Sequence, residues 1–270
     1  MHTILKQFAP PIVKALRYYS FKYGWKGDYP SYEIAKAQTR GYDENHILNR
    51  IAETTRLVKN GEAAYERDGI IYDKVQVNIN LLSALLLVAS RNGNKLTVID
   101  FGGSLGTSYY QNITYLSHLE TLNWCIVEQA HFVDTGKKEF EDDHLKFFHT
   151  VEECLQQFPE ANLLLFSSSL QYFEKPYETL KDLQCFKIPY LMLDLIAYNS
   201  ENRDRITIQY VPPVFYGIEA SYPCTFFNKE KLYHQLKENY TLEFDFEVSS
   251  ELYYIQLKPF RYKGALWRHV

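Results

Sequence analysis

Seven consecutive residues, Asp100-Phe101-Gly102-Gly103-Ser104-Leu105-Gly106, place a carboxylate directly ahead of a glycine-rich turn, and the apolar run Leu96-Thr97-Val98-Ile99 before them reads as a strand. Glycines at a strand-to-helix turn let backbone N–H groups approach a ligand at the helix N-terminus. A nucleotide-like ligand suits that arrangement. The dinucleotide fingerprint G-x-G-x-x-G requires three glycines, but with Gly103 and Gly106 in its last two places Phe101 falls in the first. The match to a nicotinamide dinucleotide is therefore incomplete. A second strand, Trp124-Cys125-Ile126-Val127, ends in Glu128, 26 positions beyond Gly102. A carboxylate there would accept hydrogen bonds from both hydroxyls of a ribose.

An acid immediately before the glycine turn favours S-adenosylmethionine, because a carboxylate near the loop can hold that ligand's amino group directly or through water. The expected cofactor set is Asp100, Gly102, Gly103, Ser104, Gly106, Glu128 and Gln129, joined by Ser167 from a later strand end.

These residues need an alternating scaffold. The pattern predicts a helix over about 75–90, stopped at Arg91-Asn92-Gly93, then strands near 96–101, 123–128, 145–149, 162–168 and 189–195 separated by helices. Strands alternating with helices imply a parallel sheet, and the near-continuous apolar runs Leu163-Leu164-Leu165-Phe166 and Leu191-Met192-Leu193 read as central strands covered on both faces. Leu242, Phe244, Phe246 and Val248 alternate with Glu243, Asp245 and Glu247, a half-exposed strand that pairs with Leu252 to Leu257 in a terminal antiparallel hairpin. The expected fold is α/β and Rossmann-like, of the class I methyltransferase kind. A helical N-terminal extension over 1–74 precedes a domain over 75–270, which carries an aperiodic insert at about 197–227.

The sequence resembles a bacterial family of class I methyltransferases often associated with O-antigen, capsule and related surface-glycan gene clusters. The resemblance runs over nearly the whole chain. It is carried by Gly27 to Tyr32 with Gly41-Tyr42-Asp43, Glu66-Arg67-Asp68, Asp100 to Gly106 with Tyr110, Trp124 to Gln129, Leu145 to Phe148, Phe166 to Tyr172 with Lys175-Pro176-Tyr177, and Ala220 to Pro223. It implies a class I fold and S-adenosylmethionine as cofactor. One departure is Leu195, where relatives often carry Arg.

Methyl transfer is an in-line displacement from a sulfonium, so donor and acceptor must be aligned and a hydroxyl acceptor must lose its proton. Candidate groups at strand C-terminal ends are Asp194 and Tyr172, with His131 better suited to an adenine contact and His149 to a structural role. Gln171 beside Tyr172 pairs an amide with a phenol and could orient a sugar hydroxyl, or cap the following helix. Tyr110, Tyr216 and Tyr222 complete the expected substrate-binding set, the last two as a lid or as loop packing. The leading reading is methylation of a sugar hydroxyl in a surface polysaccharide or its lipid-linked precursor. The alternatives are a nicotinamide-dependent sugar-nucleotide oxidoreductase or epimerase, with Tyr233 and Lys237 at Tyr-x-x-x-Lys spacing, and a non-catalytic binding module in glycan assembly.

Composition narrows the classes further. A net charge of −4 gives no general attraction to nucleic acid, and 23 Tyr with 17 Phe supply amphipathic rings for gripping sugars or bases as well as for packing. Cys125, Cys154, Cys185 and Cys224 lack metal-site spacing, so no metal is expected and a reducing cytoplasm fits. Residues 1–26 carry Lys6, Lys14, Arg17, Lys22 and Lys26 with no acid, a segment that could lie on an anionic membrane surface. Leu81 to Ala89 is too short to span a bilayer.

Overall fold

The structure, a computed structural model, describes residues 22–39, 44–248, 252–256 and 258–270. The described residues open with β1 (Gly24–Tyr29), α1 (Tyr32–Lys36), α2 (Glu44–Lys59), β2 (Tyr65–Arg67), β3 (Ile70–Tyr72) and α3 (Ile79–Arg91). The alternating part follows as β4 (Lys95–Phe101), α4 (Thr107–Leu116), β5 (Thr121–Val127), α5 (Ala130–Glu139), β6 (Leu145–Phe148), α6 (Val151–Gln157), β7 (Leu163–Ser167), α7 (Pro176–Gln184) and β8 (Tyr190–Ala197). After it come β9 (Arg205–Val211), α8 (Pro213–Tyr216), β10 (Ala220–Phe226), α9 (Lys229–Leu236), β11 (Tyr240–Glu247), β12 (Tyr253–Ile255), β13 (Lys258–Phe260) and β14 (Tyr262–His269).

The main sheet has seven strands in the order β11-β14-β8-β7-β4-β5-β6. β4 through β8 run parallel, and β14 is antiparallel to both of its neighbours. Period-two alternation sends successive residues to two separate cores. Leu96, Val98, Trp124, Ile126, Leu163, Leu165 and Met192 face one, while Ile99, Cys125, Leu164, Phe166, Leu191 and Leu193 face the other. Trp124 and Trp267, on opposite faces, have no exposed surface. Burying a large side chain contributes about 1.5–3 kcal/mol, so this central sheet is the most stable frame from which loops can be displayed.

Three sequence expectations change. The strand paired with β11 is β14 (Tyr262–His269) rather than residues 252–257, whose described part forms a separate small ladder, β12 with β13. The period-two pattern marked a strand correctly but could not choose between two later partners. The N-terminal extension is not purely helical, because β1 pairs with β9 in a second sheet ordered β1-β9-β10. The segment over 197–227 therefore holds two paired strands and a short helix, its aperiodic composition hiding a sheet whose third strand comes far earlier in the chain, Trp25 pairing with Gln209 at a separation of 184 residues. Trp25 centres the small core under this sheet, with Phe226 and Phe260 packed edge-on at 6.0 and 5.3 Å.

Candidate active site

β4 pairs with β5 on one side and β7 on the other, so the chain leaves its carboxyl end in opposite directions on the two sides. Ligands of open α/β sheets bind in the crevice such a switch point creates. A cavity of about 890 Å³ lies there, bounded by the turns after β4, β5 and β7, by the β2–β3 hairpin and by the second sheet.

The turn after β4 is held from both sides. Gly102 N–H donates to the Val127 carbonyl at 2.9 Å, and Ser169 Oγ donates to the Phe101 carbonyl at 2.7 Å. Gly102 has φ +77°, and a Cβ there would come within 2.7 Å of Ser169 Cβ, so backbone and space both demand glycine. Gly106, at φ +99°, caps the start of α4 without lining the cavity.

Asp100 lies behind this turn, not at the cavity surface. Its Oδ2 accepts from Trp124 Nε1 at 3.0 Å, and burial pushes its carboxyl up to about 7. Asp100 Oδ1 and Ser104 Oγ are buried with no hydrogen-bond partner among the described residues. Glu128 does line the cavity; burial raises its carboxyl, while the backbone N–H groups of Gln129 and Ser104 favour the charged form. Gly102, Gly103, Ser104, Glu128 and Gln129 thus form one wall. Backbone donors, the Glu128 carboxylate and the unpartnered Ser104 hydroxyl are a donor and acceptor set that fits a ribonucleoside with a charged tail.

Ser167 also lines the cavity and donates to Asp194 Oδ2 at 2.8 Å. Asp194 itself is fully buried outside the lining, and its Oδ1 accepts from Asn78 Nδ2 at 2.9 Å. Burial raises its carboxyl against these hydrogen bonds. A β-bulge explains the placement: the β14–β8 register shifts opposite Asp194 and Leu195, and Leu195 adopts φ +54°. Asp68, Ser104 and Ser168, which all line the cavity, have φ values of 52, 55 and 58°, a local concentration of costly backbone at one place.

Elsewhere on the lining, Tyr172 and Tyr222 meet edge to face at 5.2 Å and 88°. Burial pushes the Tyr172 phenol well above its usual range, so it remains protonated as a donor. Tyr216 lines the cavity too. Gln171 and Tyr110 do not: Gln171 Nε2 donates to the Leu195 carbonyl at 3.1 Å from a fully buried position, and Tyr110 packs its ring on Tyr109 at 5.1 Å. His131 lies beside Phe132 outside the lining, whereas His149 is on it.

The sequence reading gave no role to Glu66, Arg67 and Asp68, which line the cavity from the hairpin. Asp68-Gly69, with φ of 52° and 76°, is the two-residue hairpin turn that needs positive φ twice, and that dipeptide ahead of the apolar run Ile70-Ile71-Tyr72 is the available signal. Glu66 is buried; it accepts from Thr107 Oγ1 at the start of α4, and from Thr54 Oγ1 and Gly69 N–H at 3.3 Å each. Burial pushes its carboxyl up to about 7. Gln209 was missed as well, because the strand that carries it was not recognised.

No family model matches the chain, and no curated protein does. Among solved structures it is similar to the Burkholderia thailandensis 1,6-didemethyltoxoflavin-N1-methyltransferase with bound 1,6-didemethyltoxoflavin and S-adenosylhomocysteine, at 12% identity and a TM-score of 0.46 over 87% of this chain and 96% of that one. It is also similar to the N-terminal domain of EvdMO1 with S-adenosylhomocysteine and D-fucose, at 13% identity and 0.46 over 86% and 100%. The mitomycin 7-O-methyltransferase MmcR aligns at 12% identity and 0.43 over 70% of this chain, which spans about half of that one, 54%. The strand order itself, five parallel strands followed by a β11–β14 pair in which β14 alone is reversed, is that of the class I methyltransferase fold.

Proposed function

We propose that the protein is an S-adenosylmethionine-dependent methyltransferase that methylates a hydroxyl of a sugar in a surface polysaccharide or its lipid-linked precursor. The observation that carries this reading is the cavity at the switch point, lined by the Gly102–Ser104 turn and Glu128 together with Tyr172 and Tyr222. Small-molecule sites span about 300–1,000 Å³, so about 890 Å³ suits a donor and an acceptor together. Bound S-adenosylmethionine would supply an electrophilic methyl group. The chain's own part is to hold the nucleoside against Glu128 and the turn, and to orient an acceptor against the aromatic wall.

Asp194 acts in this scheme by fixing Ser167, because its two oxygens are already engaged and it does not line the cavity. The oxidoreductase alternative gains nothing from Tyr233, whose ring packs on Trp267 at 4.7 Å in the core. Residues 1–21 of the basic segment lie outside the described residues. Of its cations within the described residues, Lys22 pairs with Glu219 and Lys26 lies 5.8 Å from the Tyr210 ring. Among the described residues no helix is long and apolar enough to cross a membrane.

Calorimetry tests the cofactor: S-adenosylhomocysteine should bind and NAD should bind far more weakly. Clear NAD binding without heat from the S-adenosyl ligand would reverse the assignment. Comparing surface-glycan masses with and without the gene tests the acceptor, since methyl transfer predicts the loss of one methylene mass.

A further inference from the structure

An amide beside the Tyr172 phenol was expected from Gln171, but the fold places a different amide there. Gln209 lies at the centre of the second sheet, in direct register with Trp25 on β1 and Tyr222 on β10. Cross-strand partners share a sheet face, so the three side chains stand together. Gln209 Oε1 accepts from Trp25 Nε1 at 3.1 Å and from Tyr172 Oη at 2.8 Å.

This geometry fixes which way the amide points. An indole N–H can only donate, so the group facing Trp25 must be the amide oxygen, and the NH₂ must face away from it. Gln209 lines the cavity, and its Nε2 has no partner among the described residues. Tyr172 is held in turn, because its carbonyl accepts from Tyr32 Oη at 2.8 Å. Two donors thus spend themselves on orienting a third, the Nε2 of a residue that lines the cavity together with Tyr172 and Tyr222. The hairpin adds Arg67 and Asp68 to the same lining.

We propose that Gln209 is an acceptor-binding residue, donating from its amide nitrogen to an oxygen of a hydroxylated sugar ring seated against Tyr172 and Tyr222. Flat amphipathic rings cover the apolar face of such a ligand, and an oriented amide reads one of its oxygens. The inference deepens the sugar-acceptor reading and rests on it.

The test uses methyl α-D-glucopyranoside, methyl α-D-galactopyranoside and methyl α-L-rhamnopyranoside as probes, with binding followed by saturation-transfer NMR with and without S-adenosylhomocysteine. Gln209→Glu keeps an oxygen for Trp25 and Tyr172 but removes the amide donors, and Gln209→Leu removes both. Wild type should bind at least one glycoside, and both variants should bind it about 3- to 10-fold more weakly, the effect of one lost hydrogen bond. Their affinity for S-adenosylhomocysteine should stay within twofold of wild type, which shows that the neighbouring wall is intact. Should Gln209→Leu fail to fold, Gln209→Glu alone decides. Wild-type affinity in Gln209→Glu, or no glycoside binding by the wild type, overturns the proposal. Glycoside binding that depends on Gln209 in a protein that ignores S-adenosylhomocysteine would sustain it and remove the methyl-donor reading instead.

Discussion

The carboxyl group of Asp100 fills the space a side chain on Gly103 would need: a Cβ there would lie 2.6 Å from Asp100 Cγ and 2.7 Å from its Oδ2. The spacing of acid and glycine is thus a packing relation, in which the carboxyl supports the turn from behind. Gly103→Ala should cost about 1–3 kcal/mol of stability, the range for an overpacked site, and should weaken S-adenosylhomocysteine binding. Adding Asp100→Ala should recover part of the stability loss. Urea unfolding of the two single variants and the double variant measures the coupling, and simple additivity would mean the two side chains do not compete for space.

Glu128 stands at the end of β5 with its Oε2 accepting from Gln129 N–H at 2.7 Å, so its position is set by its own backbone. Glu128→Ala should leave the fold intact and cost about 1.5–3 kcal/mol in S-adenosylhomocysteine binding, roughly 10- to 150-fold. An unchanged dissociation constant by calorimetry would exclude Glu128 from the site.

Asn78 joins α3 to the end of β8. Its Oδ1 accepts from Leu81 N–H at 3.2 Å as an N-cap, while its Nδ2 donates to buried Asp194 at 2.9 Å. Asn78→Ala should lose both, about 2–4 kcal/mol in total, while Asn78→Ser keeps a capping oxygen and should lose less. Equal unfolding midpoints for the two variants would show that the cap carries no weight, and a midpoint for Asn78→Ser equal to wild type would show that the Asp194 contact carries none.

Burial raises Asp100 from 3.8, and Glu66 from 4.5, to about 7 in the folded protein. Between about pH 4 and pH 7 the folded chain therefore holds more protons at these sites than the unfolded chain. Their contribution to stability falls as pH rises through that window. Asp100→Asn and Glu66→Gln should each flatten the decline in melting temperature between pH 4.5 and 7.5 relative to wild type. A slope identical to wild type in both variants would show that neither group titrates abnormally.

Local pattern was enough to bring the residues of one cavity wall together. Asp100 to Gly106 and Glu128 follow strands whose apolar runs announce them, and the chain itself delivers each side chain to the same sheet edge because parallel neighbours end together. That regularity made the α/β class, five parallel strands and the wall of Gly102, Gly103, Ser104, Glu128 and Gln129 legible from residue types and spacing. The part of the lining that the second sheet supplies follows no such rule. Gln209, Trp25 and Tyr222 meet through pairing of β1 with β9, and Tyr172 reaches them from a turn after β7. Asp194 and Gln171 look like cavity residues in sequence, yet a bulge at Leu195 and full burial turn both into supports. Strand partners distant in sequence, and the direction a side chain takes at a bulge, are settled by packing of the whole chain, which local periodicity does not encode.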